Sequence, residues 1–206
     1  MNLIVSNQIC NLILKHSWLR LFFRSIGLTF GARSLIWLLS LTVLRGHVSK
    51  ERRWFETHVL PNLLINPDPV VLIGLKSYNL HYVVAYGLFR ELLVIEPNQG
   101  MPSPAVIERN FDRLENWQAA MAKYGLIDCH GVYGYGLDTG EALHQAIHVV
   151  HKALKPGGYL LFSVNRERDP ENLANHGIRA SFFSRFEEAA LHAIGSGYVV
   201  IFKKID

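Results

Sequence analysis

Residues 149–164 read VVHKALKPGGYLLFSV. Apolar positions at helical spacing run into Lys155, Pro156, Gly157 and Gly158. Proline lacks the backbone donor a helix needs, and glycine reaches φ angles that other residues avoid, so the chain can turn sharply here. Residues 159–164 are apolar or aromatic apart from Ser163, as expected of a strand covered on both faces. The stretch therefore predicts a helix, a tight turn and a buried strand.

Outward from this point the pattern repeats. Residues 141–154 place Leu143, Ile147, Val150 and Leu154 on one helical face. His144, His148 and His151 share a neighbouring stripe at i, i+4 and i+7. That spacing suits a metal, but no acid or cysteine joins it, so a partly solvated face is expected and no metal. Residues 126–132 (LIDCHGV) predict a strand, preceded by a helix over 114–124. Downstream, the polar stretch 165–175 is a loop, 182–191 (FFSRFEEAAL) predicts an amphipathic helix, and 198–202 (YVVIF) a final strand.

The first half of this core opens with a turn cluster at 66–69. Residues 70–75 (VVLIGL) predict a buried strand, 78–91 a helix, and 92–96 (LLVIE) a second strand closed by Pro97 and Asn98. Such a βαβ unit has a right-handed crossover. Residues 99–104 (QGMPSP) read as a loop and 105–107 as a brief third strand, with Asn110 and Asp112 just beyond it.

The helix–LKPGG–strand stretch, in this order of elements, resembles the class I S-adenosylmethionine-dependent methyltransferases. The resemblance spans residues 67–206 and implies an α/β doubly wound, mostly parallel sheet whose last strand is antiparallel. It also implies S-adenosylmethionine as cofactor. Gly74 matches the first glycine of the family's loop, and Glu96 its ribose-binding acid. The family's site also implies cofactor contacts from Leu75, Asn110, Asp112 and Cys129, the adenine amino group meeting Asp112 or Asn110. His130, Tyr133, Tyr135 and Asp138 follow the fourth strand, on the side that faces methyl donor and acceptor in the family. Histidine, with an ordinary pKa of about 6.5, can take a proton from an acceptor hydroxyl near neutral pH, which makes His130 the candidate base. The chain departs from the family at Leu72, Lys76 and Tyr78, where an acid and two glycines are usual.

Residues 1–66 have a different character. At 206 residues, 50% hydrophobic and 18% charged, the chain is long enough for one folded domain with an appendage and too apolar for disorder. Before position 61, eight Lys/Arg face only Glu51 and Glu56, so in a chain of net charge +4 the remainder is slightly acidic. That distribution argues against a nucleic-acid partner for the core. Apolar helical patterns recur from Leu3 to Leu44, interleaved with Arg20, Arg24 and Arg33, and Ser49 is placed to cap a further helix that Pro61 ends. A membrane-spanning helix needs about 20 apolar residues, and Arg33 and two glycines interrupt the best candidate. Two readings stand here: a helical cap on the sheet, or an interfacial helix pair on an anionic membrane surface.

Cys10 and Cys129 are too few and too far apart for a disulfide framework or a zinc site, which fits a cytoplasmic protein. The expected function is methyl transfer to a hydroxyl of a small molecule, glycan or lipid-linked acceptor. The departures at Leu72, Lys76 and Tyr78 leave open a non-catalytic binding or scaffold role on the same fold.

Overall fold

The computed structural model describes residues 3–42, 50–64, 68–75, 79–96, 108–110, 117, 121–129, 132, 140–165, 182, 184–194 and 197–205. The chain opens with helices α1 (Leu3–Lys15), α2 (Ser17–Phe30), α3 (Ala32–Thr42), α4 (Lys50–His58) and the single turn α5 (Leu60–Leu63). Gly31, at φ 85°, separates α2 from α3. Pro61 opens α5 instead of ending a helix, because a proline in the first turn gives up a donor that has no partner there anyway. Gly27 stays inside α2, where a Cβ would come within 2.7 Å of the Phe89 ring.

The core continues as β1 (Val70–Ile73), α6 (Leu80–Phe89), β2 (Leu92–Ile95), β3 (Glu108–Asn110), β4 (Tyr124–Cys129), α7 (Gly140–Ala153), β5 (Leu154–Asn165), β6 (Phe186–Ile194) and β7 (Gly197–Lys204). Among the described residues the sheet has seven strands in the order β3-β2-β1-β4-β5-β7-β6. The first five run parallel, and β7 is antiparallel to both β5 and β6. Alternate residues of each strand enter opposite layers. Val70 and Leu72 face the cluster that holds α6, whereas Val71 and Ile73 face the cluster that holds α7. Burial on both faces is why these strands read as unbroken apolar runs.

Several elements differ from the sequence reading. The LKPGG segment lies inside a strand and does not precede it. Tyr124 pairs with Leu154 and Leu126 with Tyr159, so residues 155–158 bulge out of the ladder. Gly157 takes φ 69°, and a Cβ on Gly158 would come within 2.9 Å of the Lys155 carbonyl oxygen. The amphipathic helix expected over 182–191 is replaced, from Phe186 on, by β6. Its backbone groups pair with β7, and Phe186 packs against Phe182 and Phe202. Phe182 and Phe186 are four apart, a spacing that mimics a helix until a partner strand is available. β6 is an edge strand. Its register slips between Glu188 and Ala190, and both Glu187 and Glu188 are exposed, features that discourage further pairing. The third strand lies at Glu108–Asn110, so Asn110 ends it and does not follow it. Residues 105–107 and most of the helix expected over 114–124 lie outside the described residues, while Tyr124 belongs to β4.

The N-terminal helices share a core with α6. Cys10, Ile13, Leu14, Leu35 and Leu39 join Leu80, Val83 and Val84 in one buried cluster. α6 is buried from Leu80 to Leu88 on every side, because the sheet covers one face and α1 and α3 cover the other. Buried carboxylates anchor polar links through this layer. His81 Nε2 lies 2.9 Å from Glu56 Oε1, and the Tyr82 hydroxyl donates to the same oxygen at 3.0 Å. The Tyr86 hydroxyl donates to Asp128 Oδ2 at 2.8 Å, joining α6 to the middle of the sheet.

Leu35 is fully buried, so Leu35→Ala should destabilise the protein by about 2–5 kcal/mol, the usual cost of deleting a buried leucine. Because its cavity opens onto α6, helix and sheet signals should fall together in a urea titration. A separate early loss of helix signal would mean that residues 3–42 melt as an independent unit.

Candidate functional site

In open α/β sheets, ligands bind at the carboxyl ends of the strands, in the crevice where strand order reverses. Here the reversal lies between β1 and β4, whose following segments diverge to opposite faces. Five of the residues singled out in the sequence come to this edge. Gly74 and Leu75 follow β1, Glu96 follows β2, and Asn110 ends β3 in register with Ile95. Cys129 ends β4, one residue beyond the Leu72–Asp128 pair. Sheet pairing alone therefore aligns positions that are up to 55 residues apart in the chain. Asp112, His130, Lys76 and Tyr78, with Tyr133, Tyr135 and Asp138, lie outside the described residues.

The β1–α6 loop is held in a specific shape. Gly74 takes φ 81°, which favours glycine, and a Cβ there would lie 3.1 Å from Val132 Cγ2 beyond β4. Its N–H donates to the Ile95 carbonyl at 2.9 Å. The next amide, Leu75 N–H, donates to Glu96 Oε2 at 2.6 Å, a charge-assisted bond between two positions 21 residues apart. Glu96 is 3% exposed, so its carboxylate lies inside the edge and braces the loop. Asn79 Nδ2 donates to the Gly74 carbonyl at 3.1 Å. Loop and acid thus form one hydrogen-bonded unit.

Cys129 is buried against the α7 layer. Burial, and next the neighbouring Asp128 carboxylate, push its thiol well above the ordinary range, so it stays protonated and acts as an apolar wall. Leu72, at the usual place of an acid, is buried toward α6. Two contributors were missed in the sequence. Asn79 stands one residue before α6, where an amide can serve a loop as well as a helix start. Asp128 is fully buried in β4, and its only signal was a charge within an apolar run. Burial, followed by that same carboxylate, raises the Tyr86 hydroxyl well above its usual pKa, so it remains a donor to Asp128 at neutral pH.

Two of the three histidines of the α7 stripe meet neighbouring side chains. Arg185 Nη1 lies 2.6 Å from His148 Nδ1, and the His151 ring meets Phe186 edge to face at 5.4 Å.

No family model and no curated protein matches the chain. Solved structures do. The N-methyltransferase NodS of Bradyrhizobium japonicum is 16% identical over 68% of this chain and 86% of its own, with a TM-score of 0.55. The PH0226 protein of Pyrococcus horikoshii is 13% identical over 77% and 92%, at 0.59. The 1,6-didemethyltoxoflavin-N1-methyltransferase of Burkholderia thailandensis, solved with bound 1,6-didemethyltoxoflavin and S-adenosylhomocysteine, is 12% identical over 72% and 76%, at 0.55. The chain has the class I methyltransferase fold.

Gly74→Ala should cost about 1–2 kcal/mol, the strain of a left-handed backbone on a residue with a Cβ. A Cβ there would also press on Val132, so urea denaturation should lower the Gly74→Ala midpoint below that of the wild type by at least this amount. A midpoint equal to that of the wild type would mean that the loop yields freely at Gly74.

Proposed function

We propose that this protein is an S-adenosylmethionine-dependent methyltransferase acting on a hydroxyl of a small-molecule, glycan or lipid-linked acceptor, in the cytoplasm or at a membrane surface facing it. The observation that carries the reading is the left-handed Gly74 loop and Glu96 side by side at the carboxyl ends of β1 and β2, next to the strand-order reversal. These are the loop and the acid that the resemblance assigns to the cofactor, at the edge where such sheets take ligands. The residues present fit that group. A glycine in left-handed conformation lets the backbone approach a nucleoside closely, and a carboxylate at the end of the second strand suits ribose hydroxyls.

In this reading Gly74 and Leu75 would hold the cofactor through their backbone, Glu96 would accept from ribose hydroxyls, and Asn110 or Asp112 would meet the adenine amino group. Cys129 would line the site as an apolar side chain. S-adenosylmethionine would supply an electrophilic methyl group on a sulfonium sulfur. His130 would take the proton of the acceptor hydroxyl as the oxygen gains the methyl and the sulfur keeps the electron pair of the broken S–C bond, and would then pass that proton to solvent. Most of the rate comes from holding the acceptor in line, with base assistance second.

One observation favours a second reading, a non-catalytic binding or scaffold protein. The Glu96 carboxylate is buried and bonded to the loop, and Leu72 replaces the usual acid.

Calorimetry with S-adenosylhomocysteine separates the two. Binding to the wild type, weakened about tenfold or more in Glu96→Ala, is expected, since a hydrogen bond to a charged group contributes about 1.5–3 kcal/mol. No binding by folded wild type moves the protein to the scaffold reading.

With an acceptor identified from lipids and glycans by radiolabelled cofactor, His130→Ala should lower the methyl-transfer rate by about 10²-fold or more. Cofactor affinity should change little. The wild-type rate should fall as pH drops through the range where imidazole protonates, because an imidazolium cannot accept a proton. Wild-type turnover in His130→Ala, with chemistry limiting, would remove this residue from the mechanism.

A further inference from the structure

The outward side of the N-terminal helices is apolar as well. Eight of the eleven exposed large hydrophobic side chains among the described residues fall between positions 12 and 41, so the exposure is concentrated on α1, α2 and α3. On α2, Trp18 is 66% exposed, Leu21 64%, Phe22 55% and Leu28 71%. These residues recur at steps of three, four and seven, which puts them on one stripe of the helix. The opposite stripe carries Phe23, which is buried toward α6. On α3, Trp37 and Leu41 are exposed one turn apart, while Leu35, Ile36 and Leu39 face inward. These helices therefore have one apolar side for the protein core and a second that the chain leaves in water.

The charges on the same helices are of one sign. Lys15, Arg20, Arg24 and Arg33 are exposed, and no acidic residue precedes Glu51. Two copies packed through this face would set arginine against arginine. An anionic surface would complement it, and a bilayer interface accepts tryptophan and phenylalanine together with Lys/Arg. No described helix is long and apolar enough to cross a membrane, so the contact is with the surface.

We propose that the outer face of α1–α3 docks on an anionic phospholipid bilayer, with Trp18, Phe22 and Trp37 entering the headgroup region and Arg20, Arg24 and Arg33 meeting lipid phosphates and carboxylates. This deepens the reading above by assigning the surface that would bring the site to a membrane acceptor. It needs neither cofactor binding nor methyl transfer to hold. Leu80, whose carbonyl accepts the buried Cys10 thiol of α1 at 3.9 Å, begins the helix after the Gly74 loop. The docking layer is thus packed against the cofactor end of α6.

The test is flotation of the full chain with vesicles of phosphatidylcholine alone or with phosphatidylserine added. The wild type should float with the anionic vesicles, and added salt should weaken that binding. Two triple variants should each lower the bound fraction at least about tenfold. One is Trp18→Ser/Phe22→Ser/Trp37→Ser and the other Arg20→Glu/Arg24→Glu/Arg33→Glu. Every substituted side chain is exposed, and circular dichroism should confirm the fold. If the serine variant misfolds, the charge-reversal variant carries the test. Wild type that stays out of anionic vesicles overturns the proposal, as does equal binding to both vesicles that charge reversal leaves unchanged. A lipid-free dimer in sedimentation velocity that the serine variant dissolves, with no vesicle binding, assigns the face to a second copy instead.

Discussion

A helix that is apolar on every side must be enclosed on every side, and α6 imposes that condition on this fold. Its sequence, LHYVVAYGLF, offers no face to water. A parallel sheet covers only one side of a crossover helix, so a second cover is needed to remove the rest of its surface from solvent. The N-terminal helices provide it through Cys10, Ile13, Leu14, Leu35 and Leu39. At about 25 cal/mol per Å² of apolar surface, leaving such a helix half open would cost more than most single interactions can offset. The segment ahead of the sheet is therefore part of the folded core.

Polar groups inside this double cover fix its alignment. An all-apolar contact between helices tolerates sliding, whereas a buried carboxylate does not, because losing its donors exposes the full desolvation cost. Glu56, meeting His81 and Tyr82, ties α4 to the first turn of α6. Asp128, meeting Tyr86 two turns along from Leu80, ties α6 to β4. The two links set the rotation and the height of α6 against both of its partners. They set the position of its N-terminus too, and with it the loop that carries Gly74. The outer helical layer and the candidate site are joined through α6 itself.

At that loop the chain has replaced one means of support with another. The resemblance leads to an acid at position 72 and further glycines after Gly74. Here Leu72 belongs to the apolar layer, and Glu96 turns inward to accept the Leu75 amide. A single buried carboxylate then braces the loop. A ligand that met Glu96 would be sensing the shape of the loop as well as the charge.

The parallel core was legible from the residues alone. Short apolar runs between glycine and proline turns, alternating with helical patterns, place the first two strands, the fourth, the fifth and the last close to where they lie. Gly74 and Glu96 were legible because their spacing is local to one βαβ unit. The strand β6 was not, since Phe182 and Phe186 satisfy a helical spacing and only the backbone groups of β7 decide between the two forms. The looped-out LKPGG segment was misplaced for the same reason: its neighbour in the ladder, Tyr124, is 30 residues away from Leu154. The N-terminal helices were legible as helices, yet nothing in their pattern distinguished the side that meets α6 from the side that meets solvent, because both are apolar. Only tertiary structure decides that, by closing one side over α6 and leaving Trp18, Phe22 and Trp37 outside.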